Sequence, residues 1–164
     1  MEPWWQTIGD TIRAEFSDLP DLARLTAMVL RLTVAAVLGG ILGYEREHKG
    51  KAAGIRTHML VSLGAALFVL IPQQAGVPPA ELTRVLQGLV AGVGFLGAGA
   101  IVKGANDADV KGLTTAAGIW MTAAIGVAAG IGREATAVLS TMLALAILAA
   151  VPWAASWFET KKQD

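Results

Sequence analysis

The chain has 164 residues, of which 54% are apolar and 16% charged, and its formal net charge is zero. The apolar residues come in long blocks, which is typical of an integral membrane protein. A chain without a basic excess lacks the surface that nucleic acids require, so we expect no nucleic-acid partner. The absence of cysteine excludes disulfides, thiol nucleophiles and thiolate metal sites.

Residues 1–22 predict an amphipathic helix that lies in the membrane interface. Pro3 suits its first turn, Pro20 ends it, and a tryptophan pair suits the lipid headgroup layer. Packing against the protein's own helices is the alternative. The segment lacks the basic start of a cleaved signal, so we expect it on the mature protein. Apolar residues recur at helical spacing: Trp4 or Trp5, Ile8, Ile12, Phe16 and Leu19.

Residues 23–158 predict an all-α, polytopic membrane helix bundle with about five transmembrane helices, followed by a short cytoplasmic tail at 159–164. Several of these spans are short or rich in small residues, so four spans plus a re-entrant segment is the alternative. Arg31 lies within the first span and either reaches outward to the interface or pairs inside the bundle. The expected spans are about 23–44, 57–71 (closed by Pro72), 84–102, 113–131 and 135–151.

Basic residues in the short connections predict the orientation. The side richer in lysine and arginine should be cytoplasmic, which places the N-terminus outside and the C-terminus inside. That side holds Arg46, Lys49, Lys51, Arg56, Lys103, Lys111, Lys161 and Lys162, against Arg13, Arg24, Arg84 and Arg133 on the other.

Glycines mark the third and fourth expected spans. Small residues at four-residue intervals allow close helix packing, and the alternative is a groove for a solute or a water-filled path. Residues 92–97 match the dinucleotide fingerprint, but they lie inside an apolar run, so we expect no dinucleotide. The residues assigned to packing or to a pathway are Gly88, Gly92, Gly94, Gly97, Gly99, Gly118, Trp120, Gly126 and Gly130, with Thr122 in the same stripe.

The connection between the first two spans carries concentrated charge and both histidines. If the first helix continues into it, Glu45 pairs with Lys49, and Glu47 pairs with Lys51. One interpretation is a salt-bridged helix end that anchors the orientation. The other is a surface that binds phosphate, a lipid headgroup or another protein.

The acidic residues do not predict a cation pore. None lies at the middle of a span, and a divalent cation that sheds water needs oxygen ligands in return. Ligation by backbone carbonyls is the alternative for such a pore. In one loop, Asn106, Asp107 and Asp109 suit either a weakly bound hydrated ion or, more readily, a solvated turn. Two isolated histidines are a weak metal signal.

Three blocks resemble the signature of the MgtC/SapB family: GYERE at 43–47 with AGIRT at 53–57, GVGFLGAG at 92–99, and KGLTTAA at 111–117 followed by Trp120. The resemblance implies a bacterial inner-membrane protein linked to magnesium homeostasis or to adaptation to magnesium limitation. Some members bind and restrain the membrane sector of ATP synthase, and others have a presumed transport role. Many carry a C-terminal ACT-like domain, and the expectation here is a short form that lacks this domain.

By the expected topology, the three blocks meet at the cytoplasmic face and form one polar cluster. There Glu45 or Glu47 would pair with Lys111, and Thr114 or Thr115 would cap the fourth helix. The expected members of this cluster are Glu45, Arg46, Glu47, Lys51, Arg56, Thr57, His58, Lys111, Thr114 and Thr115.

Two functions remain open. The first is a regulator that acts through a membrane partner such as the ATP synthase membrane sector. The alternative is a small transporter of magnesium, another ion or a solute. A homo-oligomer, a dimer or higher, is expected in both cases, because five short helices enclose little volume. No nucleophile and base can be paired, so we expect no enzyme, and no cofactor beyond Mg²⁺ as a ligand or transported ion.

Overall fold

The computed structural model describes residues 3–15, 21–103 and 110–160, and the side chains of 3–15, 21–102 and 110–150. Within these ranges the predicted all-α architecture is confirmed. Between the fourth and fifth helices, the two-residue strands β1 (Val102–Lys103) and β2 (Val110–Lys111) pair antiparallel. The helices are α1 (Trp4–Glu15), α2 (Leu22–His48), α3 (Ile55–Gln74), α4 (Pro79–Gly99), α5 (Leu113–Gly130) and α6 (Glu134–Thr160).

Among the described residues, four helices are long and apolar enough to cross a membrane: α2, α3, α4 and α5. The shortest, α5, has 18 residues. At 1.5 Å per residue it is about 27 Å long, close to the thickness of the hydrocarbon core. The part of α6 whose side chains the structure describes, Glu134–Ala150, is apolar but shorter than these four helices. The polytopic membrane bundle is therefore confirmed, and α6 as a fifth span stays a prediction.

Taken by itself, α1 is the amphipathic helix that the sequence predicts. Its exposed apolar side chains include the indole rings of Trp4 and Trp5, which meet edge to face with 5.7 Å between centroids. On its polar side, Arg13 Nη1 donates to Asp10 Oδ1 at 3.3 Å. Its place in the interface stays a prediction. The expected contributions of Phe16, Leu19 and Pro20 lie outside the described residues.

The expected end of α3 at Pro72 is wrong, because the helix continues through this proline to Gln74. A proline removes one N–H donor, which costs one hydrogen bond within the helix. The chain still bonds past the proline, since Ala75 N bonds to Ile71 O at 3.0 Å in the helical pattern, and Val77 N bonds to Pro72 O at 3.0 Å, five residues back, which closes the helix end. Helix α4 also differs from its expected span: it begins at Pro79, and it runs unbroken to Gly99.

Gly112, and not a threonine, sets the start of α5, so the predicted capping by Thr114 or Thr115 is wrong. Gly112 has a φ of 94° and makes no side-chain cap. It lies so close to the Ala100 carbonyl that any Cβ would overlap it. Only glycine meets both conditions. The helix then begins at Leu113, which places both threonines beyond the capping position.

Small residues form the core. One buried cluster joins α2, α3, α5 and α6, and a second lies where α5 meets α3 and α4. Alanine predominates in both, so the helix backbones approach closely, which is how helices associate in lipid. The first cluster contains Ala35, Leu38, Leu42, Ala66, Ile125, Ala129, Ala137 and Ala144, and the second contains Ala53, Ala65, Val93, Ile119 and Ala123.

Arg31 joins three helix ends. Its Nη1 donates to Gln73 Oε1 at 3.0 Å and to the Gly130 carbonyl at 3.4 Å. Its Nε lies 3.9 Å from Glu134 Oε1. A cation beside the last carbonyls of a helix is also favoured by the helix dipole. Of the two expectations for Arg31, pairing inside the bundle is the one that the structure shows.

Candidate functional site

The turn from α2 to α3 places the charged residues of the first connection. Glu47 Oε2 accepts a hydrogen bond from Ile55 N at 2.9 Å, so this carboxylate caps the start of α3. An acidic cap is favourable at a helix N-terminus. Because α2 ends at His48, the expected helical pair of Glu47 with Lys51 does not form, and Glu47 instead binds α3.

Glycines allow α3 to lie directly against α2 on one side and α5 on the other. A Cβ on Gly43 would lie 2.6 Å from Ile55 Cα, and a Cβ on Gly39 would lie 2.8 Å from Ser62 Cβ. On the opposite side, a Cβ on Gly126 would overlap the Ser62 carbonyl. The first turns of α3 are therefore enclosed by two helix backbones.

Two cations near the end of α2, Arg46 and Lys49, share the carboxylate of Glu45. Glu45 Oε1 lies 2.7 Å from Lys49 Nζ, which confirms the predicted pair, and Glu45 Oε2 lies 3.0 Å from Arg46 Nε. Arg46 is only 3% exposed. Apart from this ion pair, its Nε and Nη1 make no hydrogen bond in the part of the chain that the structure describes. Two cations against one anion leave a positive charge at a buried position.

His58 and Ser62 lie one turn apart on the enclosed face of α3, and both are 0% exposed. His58 Nδ1 lies 3.0 Å from the Gly54 carbonyl, which can only accept, so Nδ1 carries the proton. Within the described ranges, His58 Nε2 and Ser62 Oγ have no hydrogen-bond partner. Buried polar atoms normally have partners, so such a concentration marks a candidate site.

A cavity of about 440 Å³ lies beside these groups, and we name it the Arg46 cavity. Arg46, His58 and Thr114 are the polar residues that line it, and the other lining residues are apolar. Exposed side chains of α6, such as Leu143 and Ile147, also line it, so it opens toward the lipid-facing surface. Its lining residues are Leu42, Arg46, His58, Thr114, Ala117, Gly118, Met121, Leu143, Ala144, Ile147 and Leu148.

Lys49 connects the end of α2 to α6. Its Nζ donates to the Leu148 carbonyl at 3.0 Å. In a regular helix this carbonyl would accept from the N–H of residue 152, which is a proline and has none. Lys49 therefore satisfies a carbonyl left free by the sequence of α6, and it fixes one wall of the Arg46 cavity.

The predicted polar cluster divides into an inner and an outer set. Arg46, His58 and Thr115 are buried, and Glu45 is partly buried. Only Arg46, His58 and Thr114 line the Arg46 cavity. The pairing of a glutamate with Lys111 stays a prediction. The members exposed at the surface are Glu47, Lys51, Arg56, Thr57, Lys111 and Thr114.

The predicted glycines also divide into two sets. Gly126 and Gly130 of α5, which we name the closed glycine face, lie directly against the backbone of α3. A Cβ on Gly118 would lie 3.5 Å from His58 Nε2, and a Cβ on Gly97 would lie at the same distance from the Ala116 Cβ. Trp120 is 50% exposed. In contrast, no atom of the described residues lies within 4 Å of the Cβ positions of four glycines of α4, Gly88, Gly92, Gly94 and Gly99. Gly88, Gly92 and Gly99 lie on one side of the helix, which we name the open glycine face, and Gly94 lies on another side.

Part of the open glycine face lines a second cavity of about 690 Å³, which we name the α3–α4 groove. Its walls are almost entirely apolar, and Arg84 lies among them. The residues that line it are Leu60, Val61, Gly64, Ala65, Phe68, Arg84, Val85, Gly88, Leu89, Gly92, Val93 and Leu96.

Sequence reasoning missed Gly39, Ser62 and the contact of Lys49 with α6. Each had a signal. Gly39 and Gly43 are four residues apart, which is the spacing of a close helix contact. Ser62 follows His58 by four residues, so both share one helix face. Pro152 leaves a carbonyl free on α6.

The described residues offer no metal site: no three His, Asp or Glu side chains among them come together to hold a metal ion. The expected loop site at Asn106, Asp107 and Asp109 lies outside the described residues.

A sequence profile of the MgtC family matches residues 32–157. The chain belongs to the MgtC family. It is 45% identical to the uncharacterized protein slr0014 of Synechocystis over 117 residues, which cover 71% of this chain and 49% of the relative. It is 42% identical to Protein SrpB of Synechococcus elongatus over 129 residues, 72% of this chain and 71% of the relative.

Escherichia coli YhiD, provisionally named as a magnesium transporter, is 38% identical over 130 residues, 73% of this chain and 58% of that protein. The chain thus spans about half the length of slr0014 and somewhat more of YhiD. No solved structure matches the chain.

The blocks that resemble the MgtC family lie close together in the structure. The first block forms the end of α2 and the start of α3, the second ends α4, and the third begins α5. Gly97 of the second block lies against Ala116 of the third, and Gly118, just after the third, lies against His58, just after the first. The Arg46 cavity therefore lies where the first and third blocks meet.

Proposed function

We propose that this MgtC-family protein serves magnesium homeostasis in the bacterial inner membrane as a regulator, by binding a transmembrane helix of another membrane protein. The observation that carries the proposal is the open glycine face of α4. A relative, YhiD, carries a name that refers to magnesium transport, and family resemblance makes the membrane sector of ATP synthase the first partner to test.

The α3–α4 groove suits a helix as its occupant. Gly88 and Gly92 lie on the same side of α4, and Gly64 of α3 also lines the groove with no atom within 4 Å of its Cβ position. Glycines with free space above them let a foreign backbone approach closely, and packing of this kind drives helix association in lipid. The apolar walls disfavour a hydrated ion as the occupant.

The alternative is a homo-oligomeric transporter of magnesium or another cation. It is favoured by the polar atoms of His58 and Ser62 that have no partner among the described residues. These two side chains extend from near the start of α3 toward its middle. Polar groups at such depth are often part of a transport pathway. Against it, the lining of the Arg46 cavity contains a cation and no carboxylate.

The first experiment places a photo-crosslinking residue at position 92, and at position 94 as a control, in a bacterium whose growth at low magnesium depends on this chain. The two positions are about 160° apart around α4, and of the two only Gly92 lines the groove. We expect position 92 to crosslink to a different membrane protein, and position 94 to give no such product. A crosslink to a second copy of this chain alone would contradict the proposal.

Matched substitutions test the function of the same surface. Gly92→Leu adds a side chain to the groove with no atom of the described residues within 4 Å of its Cβ, and Gly94→Leu adds the same volume outside the groove. We expect growth at low magnesium to be lost in the first variant and kept in the second. Magnesium flux into liposomes that contain only the purified protein would contradict the regulator proposal and support the transporter.

A further inference from the structure

We propose that the Arg46 cavity is a binding site for an anionic phospholipid whose headgroup carries a phosphate and a hydroxyl group. The inference concerns a different surface from the α3–α4 groove, and it does not depend on the proposed function.

The charge in the cavity calls for an anion. Arg46 is 3% exposed, its Nε is ion-paired with Glu45 at 3.0 Å, and its Nη1 has no hydrogen-bond partner within the described ranges. Glu45 contacts Arg46 but also neutralises Lys49 at 2.7 Å, and Glu45 does not line the cavity. An unsatisfied guanidinium away from water is costly. A phosphate accepts hydrogen bonds from a guanidinium in good geometry, which makes it the best match for these donors.

The second polar group, the His58 ring, requires a hydrogen-bond donor on the ligand. His58 Nδ1 holds its proton against the Gly54 carbonyl, so Nε2 of the neutral ring is an acceptor. This nitrogen is buried, has no partner among the described residues, and lies beside Gly118 in the cavity wall. A lipid phosphate diester has no proton to donate, so the matching group is a headgroup hydroxyl, as in phosphatidylglycerol.

The position and the remaining wall suit a lipid. Arg46 lies two residues before the end of α2, and His58 lies three residues after the start of α3. At 1.5 Å per residue both are within about 5 Å of the helix ends, close to the depth of lipid phosphates. The rest of the wall is apolar and reaches the exposed side chains of Leu143 and Ile147 on α6, so an acyl chain can continue into the bilayer.

The test is native mass spectrometry of the full chain released from nanodiscs that contain equal amounts of phosphatidylglycerol and phosphatidylcholine. We expect retention of one phosphatidylglycerol per chain, favoured over phosphatidylcholine by about tenfold. We expect Arg46→Gln to lose this preference. Equal retention of the two lipids by the unmodified chain would overturn the proposal.

A pair of alanines provides a test that leaves the charges in place. Ala117 lines the cavity, and Ala124, which does not, lies two turns further along nearly the same face of α5. Both are exposed, so leucine is tolerated at each. We expect Ala117→Leu to lose the bound lipid and Ala124→Leu to keep it. Loss in both, or in neither, would contradict the assignment to this cavity.

Inorganic phosphate separates a lipid headgroup from a free anion. Added at millimolar concentration, it should leave the phosphatidylglycerol in place, because the apolar wall contributes to lipid binding and not to binding of the free ion. Displacement of the lipid by phosphate alone would overturn the lipid assignment and make the cavity a site for a soluble anion.

Discussion

The closed glycine face of α5 and the open glycine face of α4 use the same spacing for opposite purposes. Gly126 and Gly130 have the α3 backbone directly against them, whereas no atom of the described residues lies within 4 Å of the Cβ positions of Gly88 and Gly92. A four-residue glycine repeat therefore predicts that a backbone approaches, but not which one. In α5 it is the chain's own α3, and in α4 we propose that it belongs to another molecule.

Substitution on the closed glycine face should cause the largest loss of stability. Gly126→Val would place a side chain where the Ser62 backbone lies, and α3 has no room to retreat because α2 is behind it. We expect a loss of at least about 3 kcal/mol, enough to prevent folding. Yield of monodisperse protein in detergent measures this. Gly88→Val, on the open face, should purify normally, and equal losses for both would show that the contrast is not real.

A single methyl group at the α2–α3 contact should have a smaller effect. In Gly43→Ala the new Cβ would lie 2.6 Å from Ile55 Cα, so the two helices must separate slightly. Overpacking of this kind costs about 1–3 kcal/mol. The decrease should appear as a lower midpoint of thermal unfolding in detergent. An unchanged midpoint would mean that α2 and α3 are not held this closely.

Loss of the cap on α3 should cost less again. Glu47→Ala removes the acceptor of the Ile55 N–H, and a lost cap of this type costs about 1 kcal/mol. Equilibrium unfolding in a denaturing detergent measures the difference. Glu47→Asp and the exposed control Lys51→Ala separate the cap from a general charge effect. If Lys51→Ala lowers stability as much as Glu47→Ala, the cap is not the cause.

The smallest effect, and the opposite sign, is expected at Gly94, on the side of α4 away from the open glycine face. Gly94→Ala adds a methyl group where no atom lies within 4 Å, and alanine favours a helix over glycine by up to about 1 kcal/mol. The thermal midpoint of the purified protein should therefore rise slightly or stay unchanged. A decrease comparable to that of Gly43→Ala would show that α4 packs against this chain after all.

Much of the fold could be predicted because apolar length alone specifies membrane helices. The helix ends were harder. Pro72 predicted an end to α3, yet a proline near the last turn removes one hydrogen bond and the chain still bonds past it. The start of α5 depends on the closeness of the Ala100 carbonyl to Gly112, a contact between segments that no local pattern encodes.

The sequence predicted several residues of the candidate site but not which of them are buried. The charge-rich connection predicted that Arg46 and His58 belong to one cluster, and the structure places both in the wall of the Arg46 cavity. The sequence did not distinguish buried Arg46 from exposed Arg56, because both adjoin the same short connection. Burial here depends on which side of each helix faces α5, and that is decided by glycines on the neighbouring helices. Ser62 was missed because a lone serine is common in membrane helices and its partnerless environment is visible only in three dimensions.

The bond from Lys49 to Leu148 spans 99 residues of sequence, so its two partners are synthesised at different times. When α2 leaves the ribosome, the carbonyl that Lys49 will eventually bind does not yet exist. Glu45, four residues earlier in the same helix, can hold the ammonium group from the start. The charged end of α2 is therefore provided with a local partner during insertion, and the wall that α6 contributes to the cavity is the last part to be completed.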